Sequence, residues 1–387
     1  MKKTLAAVAV LGAFAGSAVA ADVTLYGLVD YSLQYQHLDA DQANVDKADT
    51  LKLSSGQNSG ARFGLKGVED LGNGYKVGFV LENGFSADTG ALGSEKKLFD
   101  REAQLYIDSD FGKLAFGRVG QLASANGSYG LLGVTGPFST GYGDATAGLK
   151  WISANGYARF DNTVTYVTPT FAGLNVYAQY SFQNDAAQDE GVEGQSSVDR
   201  YYGIGAKFVN GGLTLVGTVD SVNYASYGVH ATVNKKLDDS ITVNLGGNYD
   251  FEVAKVYFGA TYFDNAKKVG NKNVGVSEDG TTATIAKGYT LGSEGAEGWG
   301  LGLGVSAPVL GGTVGAYAGY LDADSVDSTD ASLKRYVAAA GYSYSFTKRT
   351  SMYSTVSYTK DKFEKNKDAD AVKASSVEVL LGMIHRF

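Results

Sequence analysis

Alternation of apolar and polar residues, repeated along the chain in segments of similar length, is the feature that most constrains how this chain folds. In the segment 23–36, Leu25 and Leu33 fall on one face, whereas Asp30 and Gln34 fall on the other. A two-residue period is that of a β-strand with different surroundings on its two faces. Fifteen further segments show the same period: 59–68, 75–85, 99–108, 112–118, 158–168, 173–182, 200–209, 213–222, 241–251, 254–263, 299–307, 313–321, 335–346, 350–359 and 375–387.

The connections between these segments alternate between short and long. Residues 109–111 and 347–349 are tight turns, whereas 37–58 and 264–298 are long and polar. An up-and-down barrel that crosses a membrane needs short turns on one side and large loops on the other, and its closure satisfies every backbone hydrogen bond within hydrocarbon. We therefore predict an all-β fold, a transmembrane antiparallel β-barrel of 16 strands. Residues 227–233 also alternate, but a further strand would put the chain ends on opposite sides, so we assign them to a long loop.

The connection from Val119 to Lys150 breaks the alternation. It is rich in glycine and contains a single acidic residue, Asp144. A connection of this length is usually functional. Because the lumen of such a barrel is too wide for side chains to fill, we expect residues 119–150 to fold inward as a constriction loop.

The two ends of the chain predict export to the outer membrane. Lys2 and Lys3 precede a short apolar run and the small residues 18–20, which predicts a cleaved signal peptide over 1–20 and a barrel domain over 21–387. The chain ends at Phe387 after apolar residues at every second position, similar to the signal read by the outer-membrane barrel assembly machinery. A formal net charge of −8 speaks against nucleic-acid binding.

The sequence offers little for catalysis. Of the three histidines, only His230 has candidate partners for acid–base or nucleophilic chemistry, in Ser226 or Asp220. Zinc is not expected, because cysteine is absent and the histidines are scattered. We therefore predict a protein that is not an enzyme and that has no catalytic residues, no metal site and no cofactor.

Two stretches carry a resemblance to a known family. Residues 60–83, GARFGLKGVEDLGNGYKVGFVLEN, and 99–118, FDREAQLYIDSDFGKLAFGR, resemble the Gram-negative general-diffusion porins, most closely their beta-proteobacterial branch. Residues 159–180 and the terminal HRF extend the resemblance. The resemblance implies a homotrimer of sixteen-stranded barrels in contact with outer-membrane lipid and lipopolysaccharide. It also implies that the third loop of each barrel, the position of 119–150, folds inward.

The resemblance further implies a ladder of basic side chains on the barrel wall, which residue-by-residue matching places at Arg62, Arg118 and Arg159. Alternation independently turns Arg62, together with Lys66, and Arg159 toward the lumen. An arginine that faced lipid at the midplane would cost about 2–4 kcal/mol, so the lumen is favoured. Simple alternation turns Arg118 outward, and a β-bulge at the strand end is needed to turn it inward.

Acidic residues opposite this ladder are fewer. Glu82 matches an inward glutamate of the family, and Asp144 is the only acid of the constriction loop. Charged rings set the selectivity of a pore. The predicted constriction is formed by Arg62, Lys66, Glu82, Arg118, Asp144 and Arg159. Because basic residues outnumber acids, we expect a weak preference for anions.

The sequence thus predicts a passive outer-membrane channel for small hydrophilic solutes and ions. Two alternatives remain open. One is a substrate-selective porin for a sugar or phosphate-type solute, and the other is an outer-membrane hydrolase or adhesin that acts through its long loops.

Overall fold

The fold is known from a computed structural model that describes residues 23–144, 148–154, 156, 158–187, 191–226 and 237–387. The predicted signal peptide 1–20, the segment 227–233 and His230 therefore lie outside the described residues. No helix in the described ranges is both long and apolar enough to cross a membrane. The strands are β1 Thr24–Asp39, β2 Ala48–Ser55, β3 Arg62–Gly72, β4 Tyr75–Gly84, β5 Glu102–Ser109, β6 Gly112–Gly120, β7 Arg159–Val167, β8 Leu174–Ser181, β9 Arg200–Asn210, β10 Leu213–Asn223, β11 Ile241–Asp250, β12 Lys255–Ala266, β13 Asn273–Val276, β14 Ala283–Ala286, β15 Ala296–Val309, β16 Gly312–Ser325, β17 Ser332–Ser345, β18 Thr350–Glu364 and β19 Ser375–Arg386. Two short 3-10 turns, Leu132–Val134 and Leu149–Trp151, lie in the long connection after β6.

The sheet closes on itself through the first and last strands. β1 pairs antiparallel with β19, with Leu33 opposite Leu381. On its other side, β1 pairs with β2 along one half and with β3 along the other, so that β2 and β3 together fill one position in the barrel. β12 pairs directly with β15. The result is a closed antiparallel barrel of 16 strand positions, and the predicted fold class is confirmed.

Two short elements lie where the sequence predicted only loop. β2 falls within the predicted connection 37–58, and the β13–β14 hairpin falls within 264–298. β2 forms because β1 is long and leaves backbone groups to be paired beyond the end of β3. Its alternation spans only eight residues, and residues 56–61 separate it from β3. The pattern was therefore too short to separate it from its polar surroundings.

Burial in the barrel wall is the reverse of burial in a water-soluble protein. On β1 and β19, Leu33 and Leu381 are 50% and 49% exposed, whereas Gln34 and Glu378 are fully buried. Outward-facing apolar side chains and inward-facing polar ones are the arrangement of a barrel in lipid. Aromatic rings, most of them exposed, pair at both barrel ends, as interface girdles do. The pairs at the short turns are Tyr75–Phe111, Tyr249–Phe251 and Tyr344–Phe346, and those at the long loops are Tyr180–Phe182, Trp299–Tyr320 and Tyr320–Tyr336.

The connection after β6 fills part of the lumen. Its residues Leu132, Leu149, Trp151 and Ile152 are 0–1% exposed and belong to one apolar cluster with side chains of the inner wall. The wall contributes Val216, Phe263, Tyr317, Leu321, Leu333, Val337 and Ala339 to this cluster. Burial of this apolar surface stabilises the folded-in loop against one side of the barrel. Open space is left on the opposite side, next to β3–β7.

Candidate functional site: the pore constriction

Hydrogen bonds hold the beginning and middle of the inward loop to the wall. Glu102 of β5 accepts a hydrogen bond from the backbone N–H of Ser128 at 2.8 Å. The Tyr129 hydroxyl donates to Gln104 Oε1 of the same strand at 2.8 Å. Further along, Asn248 Nδ2 of β11 donates to the Val134 carbonyl at 2.9 Å. The loop therefore crosses the lumen from one wall to another.

A buried ion pair holds the end of the loop. Arg335 of β17 binds Asp361 of β18 through two hydrogen bonds, Nε–Oδ1 at 2.7 Å and Nη2–Oδ2 at 2.8 Å. Its third nitrogen, Nη1, donates to the Trp151 carbonyl at 3.0 Å, and the Tyr289 hydroxyl donates to Asp361 Oδ2 at 3.0 Å. The arginine is fully buried. Such a bidentate pair fixes geometry as well as charge, so it sets the position of the loop end.

A cavity of about 510 Å³ remains between the loop and the wall. Four basic residues line it: Arg62, Arg101, Lys150 and Arg159. The other lining residues, all described, are uncharged: Gly56, Gln57, Asn58, Ser59, Gly60, Ala125, Asn126, Gly127, Ser139, Thr140, Gly141, Tyr142, Gly143 and Asn271. The cavity between the loop and the wall is thus lined by basic and neutral polar groups, with a few small apolar ones.

Glu82 lies behind the arginines. Its Oε1 accepts a hydrogen bond from Arg101 Nε at 2.7 Å and lies 3.7 Å from Arg62 Nη1, while Tyr26 donates to Oε2 at 3.1 Å. Glu82 is only 6% exposed. Arg62 also donates to the Gly60 carbonyl and to Ser59 Oγ, both at 2.8 Å. One buried carboxylate therefore orients two guanidinium groups and neutralises one of their two charges.

Arg118 reaches the lumen through an irregularity in β6. The pairing register with β7 shifts between Gly117 and Val119, and Gly117 has a φ of +124°. Arg118 Nη1 lies 2.6 Å from Asp161 Oδ1 and donates to the Arg159 carbonyl at 3.3 Å. Arg118 therefore lies beside the cavity, where it supports Arg159, rather than in its lining.

Arg159 contributes a positive charge to the lumen. It lines the cavity, and its Nε has no hydrogen-bond partner among the residues that the structure describes. Arg62 and Arg101, the other arginines of the lining, have the same charge. Because Nε is shielded from solvent, the charge of Arg159 acts on a passing anion through space and not through a hydrogen bond from Nε.

Two predicted site residues lie elsewhere. Lys66 is exposed, with its Nζ 5.2 Å from the centre of the Tyr26 ring, and it does not line the cavity. Asp144 forms an ion pair with Lys272 and accepts a hydrogen bond from Gln34 Nε2 at 3.2 Å. Burial favours the neutral carboxyl, but neighbouring lysines outweigh it and keep the pKa of Asp144 below its usual value. Asp144 is therefore ionised but engaged away from the arginines.

Sequence reasoning missed two basic residues of the lining. Arg101 falls within the alternating segment 99–108, where the pattern puts it on the outward face with Leu105, but β5 begins only at Glu102, so the pattern does not set its direction. Lys150 lies in the non-periodic loop, and its Nζ is 5.1 Å from the centre of the Trp151 ring. Burial and the nearby charge of Lys272 lower the pKa of Lys150 to about 8. The available signal for Lys150 was its charge, because the stretch 119–150 contains only one other charged residue.

A closed barrel with an apolar outer face, a polar inner face and a lumen narrowed to a charged cavity defines a transmembrane diffusion channel. Residues 6–364 match the family described as Gram-negative porin, and the chain belongs to this family. It is an outer-membrane porin, a passive channel for small hydrophilic solutes.

Relatives and solved structures agree with this assignment. The chain is 32% identical over 417 residues to an outer membrane porin protein of Bordetella pertussis, with all of both chains covered. It is 31% identical over 391 residues to outer membrane porin protein 32 of Delftia acidovorans, covering 99% of this chain and 95% of that one. Its fold is similar to that of the anion-selective porin from Comamonas acidovorans, with a TM-score of 0.64, 24% identity, and 95% and 100% of the two chains covered.

Proposed function

We propose that the constriction gives this porin a weak preference for anions. The observation that carries the proposal is the charge of the cavity lining, in which four basic residues, Arg62, Arg101, Lys150 and Arg159, are accompanied by no carboxylate among the described residues. Glu82 compensates one of these charges from behind. The acidic residues at the surface, which make the net charge −8, are screened beyond about 8 Å at physiological salt. The name of the similar Comamonas porin describes that protein as anion-selective.

The reversal potential of single channels in a potassium chloride gradient tests this proposal. A sign that corresponds to chloride passing faster than potassium supports it. A clear preference for potassium contradicts it. We propose that the site has Arg62, Arg101, Lys150 and Arg159 in its lining and Glu82 and Arg118 as positioning residues, and that Lys66 and Asp144 lie outside it.

We further propose a cleavage site for the signal peptide and bounds for the constriction loop. Cleavage after Ala20 removes the signal peptide 1–20 and leaves the barrel domain 21–387. The constriction loop covers approximately residues 119–150. The basic, apolar and small-residue order of the first 20 residues supports the cleavage. The mass of the protein purified from outer membranes tests it, because a retained N-terminus would contradict this site.

Phe387 joins the last strand to the first, and we propose that it also contacts the barrel assembly machinery. Its backbone N–H and carbonyl exchange hydrogen bonds of 3.1 Å with Gly27 of β1, so the last residue closes the barrel. The proposed partners are this machinery, lipid and lipopolysaccharide, and two further copies of the chain in a homotrimer. Cross-linking and native electrophoresis in mild detergent test the trimer, and a monomer alone would contradict it.

We propose that this porin has no enzymatic activity. The hydrolase alternative depends on His230, which lies outside the described residues. Asp220, one candidate partner, accepts hydrogen bonds from Gln121 Nε2 at 3.3 Å and from the Tyr201 hydroxyl at 3.4 Å. These contacts join the beginning of the inward loop to β10, which is a structural role. Unchanged channel function with no hydrolysis in esterase and peptidase assays is the expected result.

A further inference from the structure

We propose that a lysine-rich cavity at the long-loop end of the barrel is a second binding site, and that its ligands are organic polyanions with an apolar or aromatic body. This inference rests on the proposed anion preference and specifies which anions the channel concentrates. The cavity has a volume of about 520 Å³ and is separate from the constriction cavity.

Five lysines line this cavity, and they come from two segments of the chain. They are Lys150, Lys267, Lys268, Lys272 and Lys287. One carboxylate, that of Asp199, is also in the lining, and it accepts a hydrogen bond from the backbone N–H of Ala225 at 2.8 Å. Positive charges therefore exceed negative ones by several units, and a concave surface of one sign raises the local concentration of oppositely charged solutes.

The structure holds the lysines at the rim in defined positions. Lys268 Nζ donates to the carbonyl oxygen of Lys287 at 2.9 Å, which ties two parts of the connection between β12 and β15 together. The backbone N–H of Lys267 donates to the Tyr224 hydroxyl at 3.2 Å, and its Nζ lies 5.8 Å from the centre of the same ring. Lys272 forms the ion pair with Asp144 of the inward loop. The charges therefore surround the cavity at several points, which suits a ligand with more than one anionic group.

One wall of the cavity is apolar. Phe160, Val222 and Tyr224 line it and are 6–9% exposed. Phe160 is held by Tyr201, with the two ring centres 4.7 Å apart. A simple inorganic anion would leave this wall unused, whereas a neutral sugar would leave the lysines unused. A flat apolar body with several carboxylates or phosphates uses both, and such stacking adds to the affinity.

The second cavity leads to the constriction. Lys150 and Asn271 line both cavities, so the two cavities are adjacent along the lumen. A polyanion bound at the lysines would be positioned next to the arginines of the constriction. Binding there raises the concentration of such solutes at the narrowest point of the channel.

Single-channel recording with benzene-1,3,5-tricarboxylate as the probe tests the inference. The probe combines an aromatic ring with three carboxylates. Propane-1,2,3-tricarboxylate has the same charge without the ring, and benzoate has the ring with one charge. We expect the benzene tricarboxylate to interrupt the chloride current at concentrations about tenfold below those required of either comparison compound, when each is added to the two chambers in turn at 0.1 M salt.

A double variant, Lys267→Gln with Lys268→Gln, locates the effect. It is expected to raise the half-blocking concentration of the benzene tricarboxylate about tenfold, because two nearby charges are lost. The matched control is Lys365→Gln with Lys367→Gln, which removes the same charge from an exposed loop at the same end of the barrel. The control should change the half-blocking concentration less than twofold. The open-channel conductance verifies that each variant is folded.

The outcomes separate this inference from the proposed function. Equal block by the benzene and propane tricarboxylates, or unchanged block in the Lys267/Lys268 double variant, would overturn the second site while leaving the anion preference intact. A channel that prefers cations would instead contradict the proposed function. Loss of block in the Lys365/Lys367 control to the same extent would show a general effect of surface charge and would also overturn the site.

Discussion

Replacement of Arg159 by glutamine tests the assignment of the constriction most sharply. Its guanidinium lines the cavity and has a nitrogen without a hydrogen-bond partner among the described residues. Glutamine retains polarity and much of the length but removes the charge. We therefore expect the barrel to remain folded and the ratio of chloride to potassium permeability to fall.

The size of the effect follows from the geometry of the cavity. A sphere with the volume of the cavity, about 510 Å³, has a radius of about 5 Å, so an ion at its centre lies roughly 6 Å from the guanidinium charge. At the dielectric constant of water, that pair interacts by about 0.7 kcal/mol. Screening at 0.1 M salt reduces the value to about 0.4 kcal/mol. Chloride and potassium feel opposite signs, so the permeability ratio should fall about fourfold.

The reversal potential in a potassium chloride gradient near 0.1 M measures this ratio directly. At 1 M salt the screening length is about 3 Å, and the effect should shrink to less than twofold. The matched comparison is Lys66→Gln, which removes the same charge from the lumen but from a residue outside the cavity lining. An unchanged ratio in the Arg159 variant, or an equal fall in the Lys66 variant, would refute the reasoning.

Three further predictions follow from the loop and its anchors. Arg335→Met leaves Asp361 buried without its ionic partner and should lower the free energy of unfolding of the barrel by about 3–5 kcal/mol. The variant should therefore unfold at a lower temperature on heat-modifiable electrophoresis. An unchanged unfolding temperature would contradict the role of this pair. Raising the pH from 7 to 9 should reduce the anion preference as Lys150, whose pKa is about 8, loses its proton. Asp144 has a lowered pKa, and burial raises that of Tyr142 to about 12, so neither titrates in this window; Lys150→Arg should abolish the pH dependence, and its persistence would assign it to another group. Gly117→Val should sharply reduce folded barrel in the outer membrane, because a Cβ at this φ of +124° would lie 2.1 Å from the Ala103 carbonyl oxygen; normal assembly would exclude a need for glycine there.

Much of the fold could be predicted from the sequence because a membrane imposes two opposite environments on every strand. Leu33 and Gln34 are neighbours in the chain, yet one faces out and the other is buried in the lumen. The alternation is therefore continuous over long segments and visible without a structure. The β13–β14 hairpin was missed because its strands have only four residues each and lie within a polar loop.

The site could be predicted only in part, because alternation gives the face of a residue but not its height in the barrel. Arg62 and Lys66 share a face, but four residues of strand separate them by about 13 Å, and only Arg62 reaches the cavity. Asp144 and Lys150 lie in a loop without a period, so their directions depend on tertiary contacts. Arg101 lies within the predicted segment 99–108, but β5 begins one residue later, so alternation gave it the wrong face.

Small anions should carry most of the current through a basic constriction. The most direct test is the single-channel conductance measured after either the anion or the cation of the salt solution is replaced by a bulky ion. Replacement of chloride by the bulky anion gluconate, at constant potassium, should lower the single-channel conductance of the wild-type protein more than replacement of potassium by a bulky ammonium cation at constant chloride. A larger drop on replacement of potassium would contradict the account.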